Sequence, residues 1–468
     1  MRLLTPGLAI FLSTLAVTTF CLNAIWSADH PSSLMELAYA LWANHSVVLG
    51  KVGQFNPLSV DDFMYVGNYY SALAPGASVL VLPFAGLGFL LEGGFTVYGY
   101  ALLLSEFFVA ICNSVAAYLV FRLGSLYFPR RTSAFIAFAY AFSTISWPLA
   151  TYFFQSDVTA MFDLLAVYLA VRMARSGSSS LALAIPCGAA LAAALTVDYV
   201  NAVMVPIVSL FLLYSFRKDL AGFAKGFAGM LIFAASGVAL LAAYNQAAFG
   251  SPFVTSEQVY QHTSSLFSSF SYPILDGLYL DLLSPLRGIF LYCPVLVLGA
   301  LGFDTMLSRR ETATEGMLLA ACFVGILLPY SVWTDAVGGE AFGQRFLVPA
   351  IPFLLLPSGF VIGGRRRGLT ALAYVLYGVG VLFNGVAAVT TAIPQVEAVS
   401  HFPFVTQVLP RFLSGGLDTW WWRQAGPFWW APPIPIIAAA FLLPFALRRL
   451  TRDEHADATE RDGSAVSG

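Results

Sequence analysis

Two acids and a few basic residues stand where chemistry at a membrane surface would need them. Asp29 comes directly after the first long apolar run and is followed by His30-Pro31. A carboxylate held against apolar surface gains proton affinity, which suits it to take a proton from a hydroxyl near neutral pH. The same Asp, followed by Pro, Ser and Ser, also suits a helix N-cap, and the two roles are compatible. Asp157 follows Tyr152-Phe-Phe-Gln-Ser156 at the start of another apolar run, where capping is again the plainer alternative. Arg345 stands in Trp333-Thr-Asp-Ala-Val-Gly-Gly-Glu-Ala-Phe-Gly-Gln-Arg-Phe346, at the mouth of an apolar run. A guanidinium fixed there can grip a phosphate at headgroup depth, against the plainer alternative of a snorkelling or acid-paired side chain. Arg287, in Ser284-Pro-Leu-Arg-Gly288, and the loop residue Lys51 are further candidates for the same task. Asp198 sits between two apolar runs, and Asp163 and Glu106 fall deeper. A charge costs about 2.5–3.5 kcal/mol at mid-bilayer, so each of these acids needs a reason, functional or interhelical. Asp61-Asp62, with His45 or Glu36 nearby in sequence, is a candidate divalent-metal site, although adjacent loop acids are usually just solvated. No Ser-His-Asp order, zinc spacing or phosphate-cradling glycine loop stands out.

The elements that must position these residues are membrane helices. Hydrophobic residues make up 59% of the 468-residue chain and charged residues 10%, with a mean hydropathy of +0.77. A soluble domain carries about 25% charge, so the composition predicts an all-α polytopic membrane protein. The net charge of −2 gives no reason to expect nucleic acid. The five cysteines all fall in apolar runs and read as core packing. Twelve spans are expected, near 5–26, 96–121, 132–151, 157–173, 181–197, 200–216, 226–248, 288–307, 315–333, 346–363, 368–391 and 432–447. The first reads as an uncleaved anchor. Residues 76–91, after Pro75-Gly76, read as an interfacial or re-entrant helix.

With the N-terminus inside, all but five of the 23 basic residues fall on the inner side; the exceptions are Lys51, Arg287, Arg345, Arg411 and Arg423. That bias predicts cytoplasmic termini and an outer face carrying the long loops 27–95, 249–287, 334–345 and 392–431. Residues 1–450 read as one transmembrane domain and 451–468 as a disordered cytoplasmic tail. Trp420, Trp421, Trp422, Trp429 and Trp430 read as an interfacial belt or as a stacking surface for a sugar or lipid.

In this order the motifs resemble the GT-C superfamily of membrane glycosyltransferases, particularly its protein-mannosyltransferase and aminoarabinose-transferase-like branch. The resemblance covers about residues 5–365. It rests on Asp29 before an amphipathic loop helix, on Gly67-Asn-Tyr-Tyr-Ser-Ala-Leu-Ala-Pro-Gly76 in the same loop, and on Asp157 as the second outer acid. Tyr244-Asn-Gln-Ala-Ala-Phe-Gly-Ser-Pro-Phe253, Leu283-Ser-Pro-Leu-Arg-Gly288 and Phe342-Gly-Gln-Arg-Phe-Leu-Val-Pro-Ala-Ile-Pro-Phe353 look like later stretches of that branch. Relatives often carry a lysine where this chain has Ala74, so Lys51, Arg287 or Arg345 would have to replace it.

The resemblance implies a GT-C-like fold whose large first outer loop bears amphipathic juxtamembrane helices. It implies transfer of a sugar from a polyprenyl-phosphate carrier to a glycan, lipid or protein acceptor on the outer face of the cytoplasmic membrane. The leaving phosphate needs charge stabilisation more than a proton, so one carboxylate base is sufficient and inversion is expected. Asp29 would be the base, helped by Asp157. Arg345, Arg287, Lys51, Tyr69 and Tyr70 would hold the donor, and Asp198, Gln155 and Glu340 the acceptor or sugar. No cofactor is required beyond the candidate divalent metal at Asp61 and Asp62. A transporter and a glycan polymerase or ligase using a lipid diphosphate are the rival readings, with a non-catalytic lipid-binding protein behind them.

Overall fold

The computed structural model describes residues 5–24, 29–49, 59–92, 99–178, 180–262, 266–363, 367–394, 402–425 and 435–444. Lys51, Trp429, Trp430 and the tail 451–468 lie outside the described residues, as does the side chain of Asp29, of which only the backbone is described.

The chain opens with α1 (Pro6–Phe20), whose cap is Thr5 accepting from the Leu8 N–H, with Pro6 in the first turn. The long segment between α1 and the next scaffold helix follows with α2 (Asp29–Asn44), the hairpin β1 (Asp62–Tyr65) and β2 (Asn68–Ser71), α3 (Gly76–Leu80) and α4 (Leu82–Glu92). Val66-Gly67 makes the hairpin turn with both φ positive, 47° and 80°, which pairs Tyr65 with Asn68 and Asp62 with Ser71. The scaffold is then α5 (Tyr100–Gly124), α6 (Arg130–Phe142), α7 (Ser146–Leu149), α8 (Ser156–Ser176), α9 (Leu181–Val197), α10 (Met204–Ser215) and α11 (Leu220–Phe249). A second segment of short helices carries α12 (Ser256–Tyr260), α13 (Ile274–Leu282) and α14 (Ile289–Tyr292). The chain continues through α15 (Leu296–Ser308), α16 (Ala313–Ser331), α17 (Ile351–Leu355), α18 (Ser358–Ile362), α19 (Arg367–Val389), α20 (Leu409–Leu413) and α21 (Trp420–Ala425). Pro435–Pro444 is a last apolar helix.

Each of the twelve expected spans contains helix, so the chain is an all-α polytopic membrane protein. Among the described residues α5, α11, α16 and the stretch Gly368–Val389 are long and apolar enough to cross a bilayer unaided. Three expected spans are interrupted: 132–151 by the turn between α6 and α7, 288–307 by Pro294, and 346–363 by Pro357 between α17 and α18. The 76–91 stretch divides into helices of 5 and 11 residues, too short to span.

Small residues set the close approaches. A Cβ on Gly188 would meet the Met230 carbonyl at 2.1 Å and one on Gly237 the Ala192 Cα at 2.8 Å, so α9 and α11 touch backbone to backbone. A Cβ on Gly76 would lie 2.4 Å from the Thr196 carbonyl carbon, which holds α3 against the end of α9. All five cysteines are buried and free. Arg175 and Glu315 join α8 to α16 through a two-pronged pair at 2.7 and 2.9 Å. Trp420 and Trp421 lean on Tyr100 and Phe20, and the Trp420 N–H donates to Leu22 O at 2.7 Å, which fits a belt at the ends of α1 and α5.

Candidate functional site

The loop between α16 and α17 is built to present Arg345. Its backbone is drawn together by Arg287, which is fully buried. Arg287 Nε donates to Val337 O at 2.9 Å, Nη1 to the carbonyls of Ala341 and Gly343, and Nη2 to Gly339 O. Gly338, Gly339 and Gly343 have φ of 71°, 62° and 71°, the left-handed turns that let these carbonyls converge. Gln344 Nε2 donates to Asp281 and to Ala336 O, and Asp281 also accepts from Ser331 Oγ at 2.7 Å. The expectation that Arg287 grips a phosphate is therefore corrected: its donors are committed to the loop that carries Arg345.

Arg345 is the opposite case. The residue is 7% exposed, yet among the described residues its side chain has no ion pair within 4 Å and no hydrogen bond. The guanidinium lies over the rings of Phe154 and Phe346, 5.3 and 5.0 Å from their centroids. Phe346 in turn stacks on Tyr330 at 4.7 Å and 4°. Nε is enclosed without a partner. Asp61, Asp335, Tyr330 and Asp198 bear on it at longer range. A buried cation whose donors meet no acceptor is costly on its own and is matched by an anion.

Asp61 and His30 close one side of this cluster. His30 is 7% exposed, its Nδ1 stands 3.4 Å from Asp61 Oδ2, and its ring lies 5.6 Å from Phe154. Burial first, then the Arg345 charge, push the imidazole down to about 4, so it is neutral at pH 7; Gln155 lies beside it. Asp62 turns the other way, toward Ser33, Glu36 and Ser59, and burial pushes it up to about 6. The two neighbouring acids diverge, and no group of three metal-ligating side chains assembles among the described residues. The paired-acid metal reading thus fails on geometry, and His45 sits apart at the exposed end of α2.

Asp198, at the end of α9, accepts from the Tyr330 hydroxyl and from Val200 N at 3.0 Å, which ties it to the Arg345 stack. Glu257 on α12 was not singled out from the sequence. It lies near Asp61, Asp335 and Asp198, and burial pushes it up to about 7. Its helix has a capping box at Thr255 and Gln258, and Ser256 Oγ donates to Ala72 O at 2.9 Å, which fastens α12 to the hairpin.

Other expected residues go elsewhere. Asp157 is buried in the first turn of α8, where it accepts from Ser146 Oγ and from Asn113 Nδ2 at 3.3 Å, and Oδ2 is enclosed without a partner. None of these contacts reaches Arg345 or His30. Tyr70 is buried among Phe63, Tyr65 and Phe249, and half-buried Tyr69 packs on the same aromatic cluster, so both hold the hairpin rather than face Arg345. Glu340 is exposed on the Arg345 loop. Glu106 is fully buried and its Oε2 accepts from the N–H groups of Asn23 and Ala24 at 3.1 and 2.7 Å. It thereby pins the turn that leads to Asp29. Asn23 Nδ2 adds a bond to Thr151 Oγ1 at 2.9 Å.

An apolar cleft of about 310 Å³ lies between α3, α9 and α11, lined by Pro75, Val79, Ala192, Ala193, Thr196 and Leu240 among others. It reaches Thr196, two residues before Asp198.

No family model and no curated protein matches this sequence. Solved structures do match. ArnT from Cupriavidus metallidurans bound to undecaprenyl phosphate aligns with a TM-score of 0.54 at 14% identity, over 94% of this chain and 76% of that one. The Archaeoglobus fulgidus oligosaccharyltransferase in its apo form aligns with a TM-score of 0.53 at 11% identity, over 83% and 57%. The archaeal oligosaccharyltransferase AglB from the same organism, in complex with an inhibitory peptide and a dolichol-phosphate, gives 0.50 at 12%, over 81% and 56%. The chain has the GT-C fold that these membrane proteins share.

Proposed function

We propose that this GT-C-fold chain is a membrane glycosyltransferase that moves a sugar from a polyprenyl-phosphate donor to a hydroxyl of a glycan, lipid or protein acceptor. The observation that carries this reading is Arg345: a buried guanidinium, stacked on two rings and bonded to no acceptor among the described residues. A phosphate complements it in charge and in geometry. The structural neighbours crystallised with undecaprenyl phosphate and with dolichol-phosphate support a ligand of that class. The apolar cleft beside α9 offers the isoprenoid tail a slot whose end lies next to the Asp198–Tyr330 pair.

In this reading the phosphate leaves as an anion that Arg345 stabilises, so the reaction needs one base. Asp29, at the first residue of α2, takes the acceptor proton, and the acceptor attacks the anomeric carbon with inversion. Glu106 acts through the backbone of residues 23 and 24 to position that helix start. Asp198 and Gln155 stand on the sugar and acceptor side. The site faces outward from the cytoplasmic membrane with both termini inside.

The test uses purified protein in lipid nanodiscs, a panel of labelled polyprenyl-phosphate sugars and a crude acceptor extract, with release of free polyprenyl phosphate as the readout. Turnover of one donor, lost in Asp29→Asn and starved of donor in Arg345→Ala, is the expected result. Folded protein that turns over none of the donors would sink the proposal.

A further inference from the structure

We infer that His30 is the second phosphate-binding group of this site and engages the phosphate as an imidazolium, taking up a proton together with the lipid. The inference rests on the donor class proposed above.

Among the described residues the site is short of positive charge. Arg287 is committed to carbonyls, which leaves Arg345 facing Asp61, Asp335 and Asp198, with Glu257 near those three acids. A leaving phosphate monoester carries about −1.5 to −2 charge at pH 7, more than one guanidinium offsets in such surroundings. His30 is placed to supply the rest. Its ring and the Arg345 guanidinium sit against the same Phe154 ring, at 5.6 and 5.3 Å. Of its two nitrogens, Nδ1 is enclosed against Asp61, whereas Nε2 is not enclosed, and Gln155 lies within hydrogen-bonding reach of the ring. Asp61 therefore selects the tautomer with Nδ1–H and stands ready to stabilise the ring once Nε2 is protonated.

The linkage follows from what faces His30. Arg345 comes from the turn before α17, Asp61 from the segment before β1, and Gln155 from the turn before α8. On its own helix, Glu36 is engaged with Asp62. In the empty site the burial of the ring and the Arg345 charge keep it neutral. A phosphate screens Arg345 and adds negative charge beside Nε2, and both effects raise the proton affinity of the ring. The bound state then holds one more proton, drawn from solvent. Affinity is full below the free-state value of about 4, falls as pH rises toward the bound-state value, and levels off above it.

The probe is a polyprenyl methyl phosphodiester, which has no ionisation of its own in the working range. Its binding to the full chain in nanodiscs is measured from pH 4.5 to 8.5. Wild type is expected to weaken toward tenfold per pH unit within that window. His30→Gln should bind more weakly at pH 5 with a much shallower profile, left with what Glu257 contributes near pH 7, and His30→Arg should bind tightly with the same shallow profile, which also shows that the variant site folds. Asp61→Asn should move the fall to lower pH. A wild-type slope retained in His30→Gln, or a pH-independent wild type, would overturn the inference while leaving the glycosyltransferase reading in place. Wild-type affinity at every pH no better than that of Arg345→Ala would overturn both.

Discussion

Replacing Arg345 by Met should separate stability from binding. In the ligand-free protein the change removes no ion pair and no hydrogen bond among the described residues. It removes two stacking contacts, with Phe154 and Phe346, worth about 0.5–1 kcal/mol each. The thioether returns about 0.3–1.5 kcal/mol per aromatic contact. It also relieves the cost of a desolvated charge without a partner, on the order of several kcal/mol after relaxation. The ligand-free variant should thus unfold at or above the wild-type midpoint. The donor loses two charge-assisted hydrogen bonds at about 1.5–3 kcal/mol each, which is at least about two decades in affinity. Thermal unfolding in detergent without ligand and binding of polyprenyl phosphate give the two readouts. A clearly lowered midpoint with unchanged affinity would refute the reasoning, because Arg345 would then be a structural clamp.

Arg287→Met should do the reverse of Arg345→Met. Four carbonyls lose their donor, at about 1–3 kcal/mol each, so its unfolding midpoint should fall steeply. Glu106→Ala strands the buried N–H of Ala24 and leaves that of Asn23 only its 3.3 Å bond to Thr151 O, and should destabilise by about 1–3 kcal/mol. Glu106→Gln, which keeps an acceptor oxygen, should retain most of that in the same unfolding assay. Glu257 is raised to about 7 in the folded chain from an ordinary 4.5, so its contribution is full below about 4.5 and is lost as pH rises through about 7. Midpoints measured from pH 5 to 8 should decline in wild type and flatten in Glu257→Gln.

The helices were legible because apolar runs of span length announce themselves, and Arg345 was legible because it breaks the positive-inside pattern. Arg287 breaks the same pattern for a different reason. Only the fold shows that glycine turns at 338, 339 and 343 aim backbone carbonyls at it. The acids of the outer cluster were harder to read. Asp61 meets His30 across 31 positions of chain, and Glu257 joins them from a loop nearly 200 residues later. No spacing rule connects them. Asp61 and Asp62 looked like a pair because they are adjacent, but in extended chain neighbouring side chains point to opposite sides. Tyr69 and Tyr70 belong to an aromatic run in a polar loop, which can serve a ligand or a small core of its own; Tyr70 lies in such a core and Tyr69 packs against it.

The cleft beside α9 has a kinetic consequence. Val79 and Leu240 in its walls remain 49% and 63% exposed, so the cleft opens on an apolar flank of α3 and α11. A polyprenyl carrier of the kind proposed, entering there, would slide in sideways without leaving the bilayer. Encounter is then a two-dimensional search, and the quantity that saturates the protein is the mole fraction of carrier among the surrounding lipids. Diluting the membrane with inert lipid at fixed total carrier should slow the reaction, while diluting the buffer should leave it unchanged.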